Sequence, residues 1–401
     1  VVWRVLNIPH TRRDHRIDYA GAVALTVGLV PLLIVATQGR DWGWASASSF
    51  LCYIVGAVGL VAFLAIERRM GEDALLPLRF FRNRVFALGS AAGTIVGLGM
   101  FGGIAALPLY LQIVKGATPT QAGLLTLPLV IGIMSMSVAS GQAISRTGRY
   151  KIFMVVGVTL MIGALLLLST VGADTPFWVT ATYMFLFGLG LGGNMQPLIL
   201  AMQNAMPVKD LGVTTSSATF FRQVGGTLGT AVFLSVLFST VPDKIANAFQ
   251  AAVGTPDFQA AVRDPAVLAD PTNRSVITAL QSGTPAGGTG VLQDSSFLNH
   301  LDPRLAHPFL VGFSDSMSLV FLVGAGVLVL GLLAVIFMPE VSLRTESGLE
   351  AQRTDDLEAA AALAAATPVV AVGAPPAGGP DGAAATAVTA SEGGPPAGRS
   401  G

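Results

Sequence analysis

Charge is what this chain lacks. Only 11% of its 401 residues are Asp, Glu, Lys or Arg, while 52% are hydrophobic, against about 25% charged residues in an ordinary soluble domain. That balance marks a membrane protein by composition. The 23 basic and 23 acidic residues cancel, which argues against a nucleic-acid partner. A single cysteine, Cys52, excludes an intrachain disulfide. The four histidines, His10, His15, His300 and His307, all fall outside the apolar runs and HExxH is absent. Membrane-embedded metal hydrolysis has no residues to use, and neither a metal site nor an enzyme is expected. None of the four lysines follows a glycine, so there is no Walker A loop for ATP.

What the sequence has instead is length without charge. Runs free of Asp, Glu, Lys and Arg cover 19–39, 42–66, 85–114, 116–145, 152–173, 175–208 and 316–339, and an eighth, 211–242, is broken only by Arg222. Each reaches the roughly 20 residues a helix needs to cross a ~30 Å hydrocarbon layer. Their continuity favours helices over the alternating strands of a barrel. The expected fold is an all-α polytopic membrane protein, a bundle of eight transmembrane helices in the lipid bilayer.

Cations gather on alternate joints. One side carries Arg4, Arg12, Arg13 and Arg16, then Arg68, Arg69, Arg79, Arg82 and Arg84, then Arg146, Arg149 and Lys151, then Lys209. The other side carries Arg40 and Lys115 in its short loops, with four more cations spread through one long loop. The basic side is therefore expected to be cytoplasmic, together with the C-terminus. Trp3, Trp42, Trp44 and Trp178 all fall at span ends, where an aromatic belt belongs. Residues 1–17 read as the end of a preceding helix and a linker, suggesting that the chain begins in mid-protein. Two spans follow in 18–66, then a basic interfacial linker in 67–84. Six more spans occupy 85–339, with a long outside loop over about 243–309. The tail, 340–401, turns Ala, Pro and Gly rich and is expected to be mostly disordered.

Arg222 is the anomaly. Eleven residues after Leu211, it falls roughly 16 Å along its helix, near mid-membrane, where even the low insertion scale charges ~2.5–3.5 kcal/mol. Such an arginine should face a cavity or a partner. Asn194 and Gln196 are uncharged polar groups at depth, with Gln112 and Gln203 nearer span ends, and each can also bond a neighbouring helix. "GLGLGG" at 188–193 has dinucleotide spacing but no βαβ context, so close helix packing is the better reading. No Asp or Glu lies inside any of the eight runs. A proton-coupling carboxylate is accordingly expected outside these 401 residues.

The stretch "GQAISRTGRYK" places Gly141, Ser145, Arg146, Gly148, Arg149 and Lys151 in one short joint. It resembles the G-x-x-x-D-R-x-G-R-R signature of major facilitator transporters, with Ser145 in place of the Asp and Tyr150 in place of a second cation. "RIDYAGAVAL", "LLPLRFFRNRVFA", "LPLYLQIVKGATPTQAGLLTLP", "FFRQVGGTLGTAV" and "HPFLVGFSDSMSLVF" are similar to the fourteen-spanning drug/proton antiporter branch, the EmrB/QacA type. The resemblance covers about 1–340. It implies two extra central helices, the complete C-terminal six-helix half, and a missing N-terminal half as partner. It further implies multidrug efflux across the plasma membrane by alternating access, driven by the proton gradient with no cofactor. The substrate would be an amphiphilic small molecule in a cavity drawing on Gln112, Asn194, Gln196 and Arg222, gated by the basic joint. A half-transporter or assembly module without transport of its own, and an exporter of lipid or natural product, are the alternatives.

Overall fold

The computed structural model describes residues 18–71, 74–281, 298 and 300–343. Among them it is all helix, with eight helices long and apolar enough to cross a membrane: Tyr19–Gly39, Ala47–Met70, Arg84–Ile113, Pro119–Thr147, Lys151–Leu168, Phe177–Asn204, Val208–Val253 and Pro303–Phe337. They answer one for one to the eight apolar runs. The reason is elementary: in lipid a backbone can satisfy its amides only within a helix or a closed barrel.

Helices α1 (Tyr19–Trp42) and α2 (Ala47–Met70) form an antiparallel hairpin. Gly59 lies against the backbone of Gly28, and Ser49, Gly56, Gly59, Phe63 and Glu67 make the buried face of α2. The hairpin leans on α8 (Leu211–Val253), where Thr37 and Trp44 meet Thr230 and Phe238. A 3-10 turn, Leu78–Arg82, leads to α3 (Arg84–Ile113). Asn83 caps α3 through the Val85 amide (2.9 Å) and donates to the Ala205 carbonyl (2.9 Å).

The fourth span is interrupted. Helix α4 (Pro119–Leu125) opens with a capping box between Thr118 and Gln121, and α5 (Leu127–Thr147) restarts beside Pro128. Helix α7 (Phe177–Asn204) wedges between α5 and α6 (Lys151–Leu168). The glycines of "GLGLGG" permit this. Gly188 and Gly192 abut the α5 carbonyls of Leu129 and Ile133, while Gly190 faces Gly157 of α6. On the other flank α3 packs on α8, and α12 (Pro303–Phe337) closes against α3, α6 and α8.

The stretch read as a long outside loop is mostly helical over its described residues. Helix α8 runs on for 43 residues, roughly 65 Å, and α12 for 35, roughly 52 Å. Both exceed a membrane. Asp243 and Lys244 end the uncharged run without ending the helix, because beyond the hydrocarbon a charge faces water. The short helices α9 (Pro256–Arg263), α10 (Pro265–Ala269) and α11 (Pro271–Gln281) follow there. Phe249 stacks edge-on to Phe258 and Phe309, centroids 6.1 and 4.7 Å apart, giving this outer layer its own apolar centre. Residues 1–17 and 344–401 lie outside the described residues.

The helices extend past the uncharged runs and take in acidic residues at their ends: Asp41 in α1, Glu67 in the last turn of α2, Asp243 in α8 and Asp315 in α12. Asp315 is exposed and stands 22 residues from Phe337, roughly 33 Å, at the outer edge of the layer. Glu67 is buried. A count of uncharged runs stops at the first charge, so it could not see a helix that carries its carboxylate inward.

Candidate functional site

Arg222 sits on α8 where α8 meets α3. Its backbone carbonyl lies against Gly97, and the next contacts along the seam set Gly225 on Thr94 and Gly229 on Leu98. Small residues every fourth position let two backbones approach this closely. The half-buried Arg222 side chain faces a crevice shared with Gly93, Val96 and Met100 of α3 and with Leu191, Asn194, Met195 and Leu198 of α7. Asn194 is 2% exposed. Its Nδ2 donates to the Met154 carbonyl of α6 at 3.3 Å, and its Oδ1 has no hydrogen-bond partner. The crevice therefore holds a cation and an unused acceptor within apolar walls. Its volume, about 10 Å³, is far below the ~300–1,000 Å³ of a drug-sized site.

The other two expected cavity residues lie elsewhere. Gln196 is exposed on α7, and Gln112 is half-buried one residue from the end of α3, fifteen residues from Gly97, roughly 22 Å. Neither lines the crevice. Gln203 bonds Thr215 of α8 at 2.7 Å. A polar stripe unmarked in the sequence reading runs along α8. Ser216, Gln223 and Thr227 are exposed, at spacings of seven and four that put them on one helix face. Ser216 and Thr227 return their hydroxyls to the carbonyls of Gly212 and Gln223, at 3.0 and 3.1 Å. Helical spacing of polar residues within an apolar run is the signal that could have found them.

The basic joint is built differently from a free charge cluster. Gly148 ends α5 at φ 70°, and its amide donates to the Ile144 carbonyl (2.8 Å). Gly141, Ser145, Arg146 and Arg149 are exposed, and Ser145 donates to the Gln142 carbonyl of its own helix (2.8 Å). Lys151 donates to the Ile336 carbonyl at the C-terminus of α12 (2.9 Å), a cation on a negative helix end. Tyr150 is fully buried and accepts from the Val341 amide (2.9 Å), while Asn204 donates to the carbonyls of Val341 and Ser342. Burial pushes the Tyr150 phenol above its ordinary value.

At the opposite ends, Lys115 donates to the carbonyls of Ala173 and Thr175, both at 2.7 Å, and Tyr110 to that of Gly172. Desolvation holds the Lys115 ammonium below its ordinary value, against the pull of Asp174. A cavity of about 570 Å³ opens among Ala248, Ala252, Phe258, Arg304, His307 and Val311. It lies 26 residues along α8 from Arg222, roughly 39 Å, and so belongs to the outer layer.

Apolar helices packed through glycine seams around a half-buried arginine define a polytopic helical membrane protein. The chain belongs to the Major Facilitator Superfamily, whose family model matches residues 19–230. It is therefore a multi-pass membrane protein. It is 39% identical to a tetracycline resistance determinant of Streptomyces rimosus over 344 residues, 86% of this chain and 97% of that protein. It is 34% identical to an uncharacterized MFS-type transporter of Mycobacterium tuberculosis over 329 residues, 82% of this chain and 43% of that one. A third relative, the multidrug transporter protein MdtP of Bacillus subtilis, is 33% identical over 221 residues, 55% of this chain and 40% of the other. The chain thus spans nearly all of the first relative and less than half of the other two.

Proposed function

We propose that this chain forms the C-terminal portion of a fourteen-span exporter of the EmrB/QacA type, which expels amphiphilic toxic compounds by proton-coupled alternating access. The observation that carries the reading is Arg222, whose half-buried side chain faces Asn194 across the α3–α7–α8 crevice. A cation is retained at that depth only against a standing cost, so it is there for a ligand or a moving partner. The exposed Ser216, Gln223 and Thr227 give the same helix a polar wall that lipid would not solvate. The crevice is too small for the substrate, so the cavity forms between this face and a second six-helix unit. The printed names of the relatives, a tetracycline resistance determinant and a multidrug transporter, support a drug-like substrate.

In this reading the basic joint lies in the cytoplasm, with the C-terminus, in a plasma membrane. Its cations fall where the positive-inside rule puts them. Lys151 and Tyr150 hold the exit of α12 while Arg146 and Arg149 stay exposed for the other unit, so the joint acts as the latch of one access state. The test is dye efflux from cells carrying the native gene product. Efflux should stop when the proton gradient is dissipated and fall about tenfold in Arg222→Ala, a loss of ~1.4 kcal/mol. Efflux indifferent to both would leave the assembly-module reading in its place.

A further inference from the structure

The outer-layer cavity has the size of a small-molecule site, about 570 Å³ against the ~300–1,000 Å³ usual for one. The last turns of α8, the start of α9 and the first turns of α12 enclose it. Ala248 and Ala252 of α8, Phe258 of α9 and Pro308 and Val311 of α12 give it apolar walls. Phe258 is 6% exposed and is anchored edge-on against the buried Phe249, so this wall is part of the packed outer layer.

The charge around the cavity is mostly negative. Asp257, an exposed lining residue on α9, has no hydrogen-bond or ion-pair partner among the described residues. Arg304 is the one arginine or lysine of the described lining, and it is already engaged: its guanidinium meets both oxygens of Asp302 at 3.0 Å and Asp264 at 3.2 Å. Two carboxylates on one guanidinium leave negative charge in excess. His307 meets Asp174 at 3.2 Å, so an imidazolium there would be balanced in its turn. Lys244 of α8 and Arg263 of α9 lie outside the lining. An anion would find no unpaired cation here, and Asp302 already caps α12 through the Arg304 amide. An inorganic cation would gain nothing from the apolar walls, and no group of three acidic, histidine or cysteine ligands exists among the described residues to hold a metal.

We propose that this cavity is a second binding site, which takes a lipophilic organic cation with its positive centre near Asp257 and its apolar body against the walls of α8, α9 and α12. Burial of the apolar body supplies the affinity, and the acidic lining selects the sign of the charge. The site is distinct from the Arg222 crevice, which lies 26 residues away along α8, roughly 39 Å. A bound cation ties the outer ends of the three helices together. Binding here needs no transport, so its test is separate from that of efflux.

The experiment is equilibrium dialysis of tetraphenylphosphonium against the full chain in lipid nanodiscs, with empty nanodiscs as the blank and tetraphenylborate as a probe of the same shape and opposite charge. Wild type should bind the phosphonium saturably, and the borate no more than the blank does. Ala251→Trp, at an exposed position of the lining, should abolish saturable binding. Asp257→Asn should weaken it about threefold, the range of an exposed ion pair, and Arg222→Ala should leave it unchanged. The site is overturned if the phosphonium does not saturate, or if the borate binds as tightly. Binding that survives intact in both outer variants, or that disappears in Arg222→Ala, places the cation elsewhere and overturns the site as well. Should Ala251→Trp not fold, Asp257→Asn and the two probes on wild type still decide.

Discussion

The backbone carbonyl of Arg222 lies against Gly97, in the space a Cβ at position 97 would need. The central cation is therefore placed by backbone contact between α3 and α8, and that contact depends on one hydrogen atom. Four residues earlier, Gly93 has room: a Cβ there would meet Leu198 at 3.5 Å and the Ala218 carbonyl at 4.0 Å. Gly97→Val should destabilise the protein by about 1–3 kcal/mol, the usual cost of overpacking, whereas Gly93→Ala should be close to neutral. Thermal unfolding in one detergent compares them. Equal melting temperatures for the two variants would mean that the α3–α8 seam is soft.

Arg222 should separate stability from activity. Its guanidinium is half-buried without an acidic partner among the described residues, so it is retained at a cost to the fold. Arg222→Met fills the same space with apolar atoms. It should raise the melting temperature or leave it unchanged while cutting dye efflux about tenfold, ~1.4 kcal/mol in rate. Loss of both stability and efflux would make Arg222 a packing residue.

The number and type of spans were legible because the rule behind them is one-dimensional: lipid demands some twenty uncharged residues in a row. The same rule misled at the ends. It cut α8 at Asp243 and α12 at Asp315, although both helices continue into water, and it stopped α2 at Glu67, which is buried within the helix. Arg222 and Asn194 could be marked singly as polar groups at depth. Their meeting across α7 and α8 could not, because it rests on the glycine seams that set which helix faces touch. Gln112 and Gln196 have the same chemistry and miss the crevice through position and facing alone.

Tyr150 stands where a second cation is usual in the resembled signature, and its neighbours explain the exchange. Its hydroxyl accepts from the Val341 amide just beyond α12. A lysine or arginine there would offer that amide a second donor. Tyr150→Phe should free it at a cost of about 1 kcal/mol and speed hydrogen exchange over 338–343. The amides of α6 should be unaffected. Unchanged exchange at Val341 would show that Asn204 and Lys151 hold the segment without the phenol.

The outer end of α12 should open in acid, and the sign follows from one carboxylate. Asp302 caps the helix through the Arg304 amide and binds the Arg304 side chain, with contacts of 2.9 and 3.0 Å. The Arg304 guanidinium holds the Asp302 carboxyl below its ordinary value. A carboxylate depressed by folding contributes stability that is fully present above its unfolded value, about 3.9, and is lost as pH falls through the folded one. Hydrogen exchange at 303–308, corrected for the intrinsic rate, should therefore quicken only below about pH 4. Asp302→Asn keeps an acceptor for the cap but has nothing to titrate, so its exchange should be faster at neutral pH and nearly flat through the acid range. Asp264, which also bonds Arg304 (3.2 Å), would leave a weaker residual slope. An undiminished acid transition in Asp302→Asn would show that the Asp302 cap is not what opens the helix.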